Sequence, residues 1–190
     1  ATDDHGHDVT DRVARLDRRY ADDFALERFR GYAAPHTIAF DLAPVGPAPV
    51  LLLTGWTDYA FSSDNVAAQQ AGLSLSLPSL QVKDAAGRWR TLIADIGIPV
   101  GRPQTIPLDL AGRLRAGEHE VRIVTNMRIY WDRALVATAQ TVGLRTVALD
   151  PLTATLGERG FSAAIRSCAA PQIYTYERVS RTSPWKALTG

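Results

Sequence analysis

Apolar and polar residues alternate along most of the chain after residue 36, in short runs separated by turn-forming residues. A period of two is typical of β-strands with one buried face, whereas helices repeat every three to four residues. The runs lie at residues 37–42, 50–56, 79–83, 88–93, 105–110, 120–126 and 133–139. Because no helical pattern long enough for a crossover lies between them, the spacing predicts a mainly β fold, a jelly-roll-like β-sandwich.

The runs at 79–83 and 88–93 are expected to pair as a hairpin. They flank the sequence Asp84-Ala85-Ala86-Gly87. Glycine readily takes the positive φ that a tight connection needs, so this sequence suits the turn.

Helical spacing occurs only near the amino terminus, between residues 8 and 29. The apolar positions recur every three or four residues among charged ones, at Val9, Val13, Leu16 and Tyr20. This pattern predicts one short amphipathic helix, capped by Asp8 or Thr10. Residues 1–35 then form a helical lead-in to the sandwich.

The last segment, 151–190, is rich in turn formers and is expected to be irregular. It contains the breakers Gly157, Gly160, Pro171 and Pro184. It also carries the aromatic residues Phe161, Tyr174, Tyr176 and Trp185. These provide enough apolar surface to pack the segment onto the sandwich, so residues 1–190 are predicted to form a single domain.

Composition narrows the classes of partner. The chain has 21 Lys+Arg against 20 Asp+Glu, a formal charge of +1, so no overall field attracts nucleic acid. The longest apolar run, near residues 50–53, is far shorter than the roughly 20 residues that cross a bilayer, and membrane insertion is not expected.

Cys168 is the only cysteine, which rules out an intramolecular disulfide. Its expected role is that of a small buried apolar side chain. The chain begins with Ala1, which suggests a processed or excerpted protein.

Distinctive motifs carry a family resemblance. They are GWTDYAFSSDN at 55–65, TNMRIYWD at 125–132, RGFS at 159–162 and PWK at 184–186. Their order resembles a domain near the carboxyl end of large bacterial FG-GAP/VCBS-repeat proteins of the ASPIC/UnbV type. The resemblance implies an accessory module beside a propeller-like repeat region, in a secreted or surface protein, and it transfers no catalytic residue.

A second likeness is to galactose-binding-like jelly rolls. It rests on LQV at 80–82 with Asp84, Gly87 and Trp89, and on VRI at 121–123 leading to WD at 131–132. Such folds host lectins, carbohydrate-binding modules and structural spacers, so the fold alone does not decide the function.

The stretch at 54–65 has the composition of a polar ligand surface. Trp56 or Tyr59 could form a flat platform against a sugar ring. Asp58, Asp64 and Asn65 could form hydrogen bonds with its hydroxyl groups. These side chains follow the predicted strand at 50–56, where a loop would present them to solvent.

A structural interpretation of the same stretch is favoured. Trp56 and Phe61 would anchor the core, while Asp58 and the sequence Ser62-Ser63-Asp64 would cap a turn or a short helical piece at 65–70. Continued strand alternation sends Trp56 to the face opposite Leu51 and Leu53 and leaves Tyr59 in the turn.

Alternation also separates Trp131 from its neighbours. If Trp131 fills the core, Tyr130 and Asp132 lie on the opposite face, where they could join Asp58 in a ligand site. The structural interpretation, in which the aromatic residues pack, is again favoured.

The best local metal candidate is the sequence His5-Gly6-His7-Asp8, preceded by Asp3-Asp4. Imidazoles and carboxylates so close together are able to bind a divalent ion. A mobile chain end offers no supporting hydrogen bonds, so a flexible tail is expected, with no metal and no cofactor. No loop has the acid spacing of a calcium hand.

Catalytic motifs are absent from the sequence. It contains no phosphate-binding glycine loop, zinc-protease motif, serine-hydrolase elbow or paired cysteines. Asp58, Asp64, Glu120 and Asp132 could supply two carboxylates for glycoside hydrolysis. The favoured function is a non-catalytic accessory or binding module, with a glycan or neighbouring domains of a larger extracytoplasmic bacterial protein as partner. The alternatives are a hydrolase that acts on polysaccharides and a purely structural spacer.

Overall fold

The computed structural model describes residues 1–138, 143–165 and 173–182. The chain divides into two compact units, Ala1–Thr141 and Val142–Gly190. The prediction that the whole chain forms a single domain, with 151–190 packed on the sandwich, stays a prediction. No helix in the described ranges is long and apolar enough to cross a membrane.

The first unit is a β-sandwich, which confirms the predicted fold class. Its elements are β1 (Thr2–Asp3), α1 (Thr10–Val13), β2 (Tyr32–Asp41), β3 (Pro49–Thr57), α2 (Ser62–Gln70), β4 (Ser79–Lys83), β5 (Trp89–Ile93), β6 (Gln104–Asp109), β7 (Glu120–Met127) and β8 (Ile129–Thr138). One sheet has the order β1-β2-β7-β4-β5 and the other β6-β3-β8, and all the pairings are antiparallel.

The core lies between the two sheets and follows the alternation in the sequence. Along β7, every second residue is buried, from Val121 to Met127. On β3, the side chains of Leu51 and Leu53 point inward from the smaller sheet. Leu80 and Val82 of β4 and Ile123 of β7 meet them from the larger sheet, in one hydrophobic cluster. Burial of these faces drives the sheets together.

The predicted strands agree with the observed ones to within a few residues at most ends, and the run at 79–83 has the bounds of β4. The exceptions are β2, which begins at Tyr32 instead of residue 37, and β8, which begins at Ile129 instead of residue 133. The hairpin of β4 and β5 is confirmed, with Lys83 opposite Trp89. Gly87 has φ of +78°, as the turn requires.

The amino-terminal helix is much shorter than its apolar spacing predicts. Only Thr10–Val13 is helical, and the chain then runs irregularly beside β8, with bridges at Ala14 and Ala21. The backbone NH of Ala21 donates to the carbonyl of Trp131 at 3.0 Å. Among the described strands, β8 pairs in its sheet only with β3, so its other edge leaves polar groups unpaired unless another segment covers it. The hydrogen bonds that this segment forms along the edge of β8 therefore outweigh its local preference for a helix.

The expectation of a flexible tail at residues 1–7 is wrong. β1 pairs with β2, with Thr2 opposite Ala39 and Asp3 opposite Ile38. The amino group of Ala1 donates to Oγ1 of Thr10 at 2.6 Å. The first residues therefore form the outer strand of the larger sheet.

The second unit contains an antiparallel pair, β9 (Phe161–Ile165) and β10 (Ile173–Ser180). The segment predicted to be irregular thus forms strands on both sides of the part that the structure does not describe. Cys168, Pro171, Pro184 and Trp185 lie outside the described residues.

Candidate functional site

The loop after β3 lies directly on the turn at residues 28–31. Gly31 has φ of +84°, and a β-carbon at this position would collide with the backbone and side chain of Ala60. The carbonyl of Gly31 accepts a hydrogen bond from the backbone NH of Arg128 at 3.1 Å. Glycine at position 31 therefore allows the two segments to touch.

Asp58 is held by two arginines at the base of this loop. Its Oδ1 lies 2.8 Å from Nε of Arg30, and its Oδ2 lies 3.5 Å from Nη1 of Arg128. The backbone NH of Asp58 also donates to the carbonyl of Arg128 at 3.0 Å. This carboxylate anchors the loop, and its two oxygens already have cationic partners.

Asp64 and Asn65 also have structural partners. Oδ2 of Asp64 accepts the backbone NH of Phe61 at 2.9 Å, so this carboxylate caps the amino-terminal end of α2. Oδ1 of Asn65 accepts the hydroxyl of Tyr32 at 2.9 Å, which ties α2 to β2. The capping role expected for Asp64 is confirmed, and α2 extends the predicted helical piece at 65–70 to Ser62–Gln70.

Two aromatic side chains of the loop face solvent. Tyr59 is 41% exposed and Phe61 is 48% exposed, so the prediction that Phe61 anchors the core is wrong. Their rings meet edge to face, with centroids 5.8 Å apart. The guanidinium of Arg30 lies 4.3 Å from the centroid of Phe61 and 5.9 Å from that of Tyr59. We call Arg30, Tyr59 and Phe61 the loop surface.

An open groove of about 410 Å³ lies between the turn at 28–29 and α2. It is lined by Arg28, Phe29, Ala67, Gln70 and Ala71. The guanidinium of Arg28 lies 4.5 Å from the ring centroid of Phe29. An arginine over an aromatic ring therefore occurs twice in this region. Arg28 lies over Phe29 next to α2, and Arg30 lies over Phe61 in the loop.

Trp56 packs against the outer side of the smaller sheet. It lies on the face opposite Leu51 and Leu53, as alternation predicts, and it is half-buried. Its ring centroid lies 5.6 Å from that of Tyr130, which β3–β8 pairing places directly opposite. Trp56 therefore packs outside the core cluster, so the prediction that it anchors the core is wrong, and it presents only part of its ring to solvent.

Tyr130 lies on the predicted face but does not reach solvent. Trp131 fills the core as expected, and Tyr130 points the other way. There Tyr20 and Phe24 cover it, with ring centroids 5.8 Å and 5.3 Å away. Burial raises the pKa of the Tyr130 phenol, and the charge of Asp58 adds to the rise. The expectation that Tyr130 is open to a ligand is therefore corrected.

Asp132 is buried as well. Its Oδ1 accepts the backbone NH of Arg18 at 2.8 Å and that of Asp17 at 3.3 Å. Burial raises the pKa of the carboxyl, and these two bonds partly oppose the rise. Asp132 holds the amino-terminal segment on β8, whereas Asp58 binds the arginines below the loop, so the structure gives these two carboxylates separate partners.

Arg30 and Arg128 are important residues that sequence reasoning missed. No spacing rule links either arginine to Asp58, which lies 28 residues after Arg30 and 70 before Arg128. The sequence does contain one signal for Arg128, which lies between two apolar strand patterns. A charge that is buried there needs a partner.

His36 gives the fold a dependence on pH. Its ring stacks on Phe24 with centroids 4.4 Å apart, and its Nδ1 lies 2.9 Å from the carbonyl of Ala34. Burial lowers the pKa of His36, while the bond to Ala34 and the charge of Asp4 act against this. The unfolded chain therefore binds more protons. The contribution of His36 to the free energy of unfolding is complete above the ordinary histidine pKa of about 6.5. It is lost as the pH falls from there toward the lower pKa of His36 in the folded protein.

We expect the melting temperature of His36→Gln to fall less than that of the wild type between about pH 7.5 and about pH 5.5. The comparison uses the change with pH, because lost stacking will lower the stability of the variant at every pH. His119→Gln, which removes an imidazole from a more exposed position, is measured beside it as the matched control. Equal changes in His36→Gln and wild type would contradict the assignment.

No family model, curated protein or solved structure matches the chain. The geometry of the loop surface is therefore the basis for the function proposed below.

Proposed function

We propose that the chain is a non-catalytic accessory module that binds carbohydrate at its loop surface. The observation that carries the proposal is the pair of exposed rings, Tyr59 and Phe61, with the guanidinium of Arg30 beside them. A sugar ring has an apolar face that packs on aromatic side chains, and its hydroxyl groups accept hydrogen bonds from a guanidinium. The loop surface offers both kinds of contact within a few ångströms.

The partners of the acidic residues favour a binding role over catalysis. Of the carboxylates considered for hydrolysis, Asp58 binds arginines, Asp64 caps α2, and Asp132 holds the amino-terminal segment. Glu120 forms an ion pair of 2.9 Å with Lys83. A glycosidase requires two carboxyl groups that flank one glycosidic bond. These four acids instead bind structural partners in different parts of the fold.

The wider context of the proposal rests on the sequence resemblance. An extracytoplasmic bacterial protein of the FG-GAP/VCBS-repeat, ASPIC/UnbV type would expose such a module to glycans and to its own neighbouring domains. A structural spacer that docks on its parent chain is the alternative, because exposed tyrosine and arginine side chains also suit protein contacts.

We expect Tyr59→Ala and Phe61→Ala to weaken binding of a glycan on the order of tenfold each, because each removes one stacking surface. The melting temperature should change little, since both rings are largely exposed. A glycan array with the wild type identifies the ligand, and titration calorimetry then compares the variants.

Trp89→Ala is the matched control, because Trp89 lies on the larger sheet and packs under Arg122, with the guanidinium 4.4 Å from the ring centroid. It should bind the glycan like the wild type. If no glycan binds, the spacer function replaces the proposal. If the chain releases reducing sugars from a polysaccharide, the hydrolase replaces it.

A further inference from the structure

The first residues form a tight turn that gathers metal-binding groups. The backbone NH of Asp3 donates to the carbonyl of His7 at 3.1 Å, and Gly6 donates to the carbonyl of Asp3 at 3.2 Å. Pairing of β1 with β2 on one side and the bridge of Thr2 with Asp8 on the other fix the ends of the turn. The side chains of the turn therefore project from a supported backbone.

Asp3 is the most constrained of these groups. Its side chain is only 10% exposed, and its Oδ1 accepts the backbone NH groups of His5 and His7 at 2.9 Å and 2.8 Å. These bonds leave its Oδ2 facing the two imidazoles. Backbone donors of this kind orient a ligand before the metal arrives.

The two imidazoles converge on Oδ2. Nδ1 of His7 lies 3.0 Å from it and Nδ1 of His5 lies 3.9 Å from it. One ligand atom from each of the three side chains lies within 4.8 Å of the others. The histidine side chains are 58% and 70% exposed, so a small closing rotation meets little resistance. Asp4 adds a carboxylate oxygen 3.0 Å from Nδ1 of His5.

The distances of 3.0 and 3.9 Å lie on either side of the spacing expected for ligands around a transition metal. With bonds of about 2.0–2.2 Å, two ligands of one tetrahedral zinc ion lie about 3.3–3.6 Å apart. Two imidazoles and a carboxylate suit zinc, copper and nickel, whereas calcium and magnesium prefer oxygen ligands alone. We propose that Asp3, His5 and His7 form a binding site for one divalent transition-metal ion of the zinc class, with the remaining coordination positions open to water or to Asp4.

The structure contains an internal control for this site. His119 and Asp41 form a similar exposed pair, with Nδ1 2.7 Å from Oδ1. Among the described residues, this pair has no second histidine or further acid close enough to complete a cluster. It tests whether any histidine next to an aspartate is sufficient.

We expect calorimetric titration of the untagged full chain with zinc chloride, at about pH 7.5, to show one ion bound per chain. Replacing His5 or His7 with glutamine should weaken zinc binding by about 10–100-fold. Asp3→Asn should do the same while keeping an oxygen that accepts the backbone NH groups, so the turn is preserved. His119→Gln should bind zinc like the wild type.

Two further measurements separate a built site from loose association. Cobalt(II) should give visible absorption bands that disappear in His7→Gln, and calcium chloride should give no binding signal. The proposal is overturned if zinc does not bind, if it binds equally to His5→Gln and His7→Gln, or if binding depends on His119.

Discussion

Replacing Arg128 with alanine is expected to lower the free energy of unfolding by about 3–5 kcal/mol, the range for breaking a buried ion pair. Arg128 stands between β7 and β8, where the chain passes from one sheet to the other. Its guanidinium donates to the carbonyls of Glu27, Phe29 and Tyr32 at 2.6, 2.8 and 2.9 Å and faces Asp58. Alanine would remove the guanidinium from all these oxygens, and only the carbonyls of Phe29 and Tyr32 would keep a backbone NH donor, at 3.2 and 3.1 Å.

Arg30→Ala is the matched control for this prediction, because both arginines bind Asp58. The side chain of Arg30 is 41% exposed against 13% for Arg128, so its loss should cost at most about 1 kcal/mol. Arg128→Lys should fall between the two, since an ammonium keeps the charge and loses the planar fork. Urea unfolding at one pH gives the three values. Equal costs for Arg128→Ala and Arg30→Ala would show that the buried carbonyl bonds contribute nothing.

Trp131→Ala is also expected to cost about 3–5 kcal/mol, because deleting a buried large aromatic side chain leaves a cavity. Trp131 belongs to the core cluster, and its ring fills the space above Gly55 of β3. A β-carbon at position 55 would lie 2.8 Å from this ring and 2.7 Å from the carbonyl of Tyr130, so strand and ring are in close contact. The cavity cannot close without moving β3.

Trp89→Ala removes the same side chain from the outer face of the larger sheet. Trp89 is half-buried under Arg122, so its loss should cost clearly less than that of Trp131. Chemical unfolding followed by circular dichroism measures both variants without relying on tryptophan fluorescence. A small loss in Trp131→Ala would mean that the sheets close over the site.

Much of the fold was predictable because strand alternation is a local signal. The run at 79–83 has the bounds of β4, and Asp84 to Gly87 forms the expected turn. The opposite faces of Trp131 and Tyr130 were also correct, since successive side chains on a strand must point apart. The helix predicted within 8–29 was largely wrong, because the free edge of β8 competes for that backbone.

The candidate site was less predictable because solvent exposure depends on residues distant in sequence. Tyr130 and Asp132 face away from the core, yet the segment at 14–24 covers them. Phe61 is apolar and was expected inside, yet the loop leaves it exposed beside Arg30. Asp58 was a candidate ligand-binding residue because of its carboxylate, but it forms ion pairs with two arginines.

The strands, their turns and the inward face of each strand can be read from the amino-acid sequence, because they follow from a period of two and from local turn chemistry. Which outward faces meet solvent depends on the folded chain, since the amino-terminal segment runs across β8 and covers part of it. The fold also supports the proposed metal site: Asp3, His5 and His7 are close in sequence, and pairing of β1 with β2 turns an expected flexible tail into a supported turn. Backbone pairing across distant positions supplies the order that local spacing does not specify.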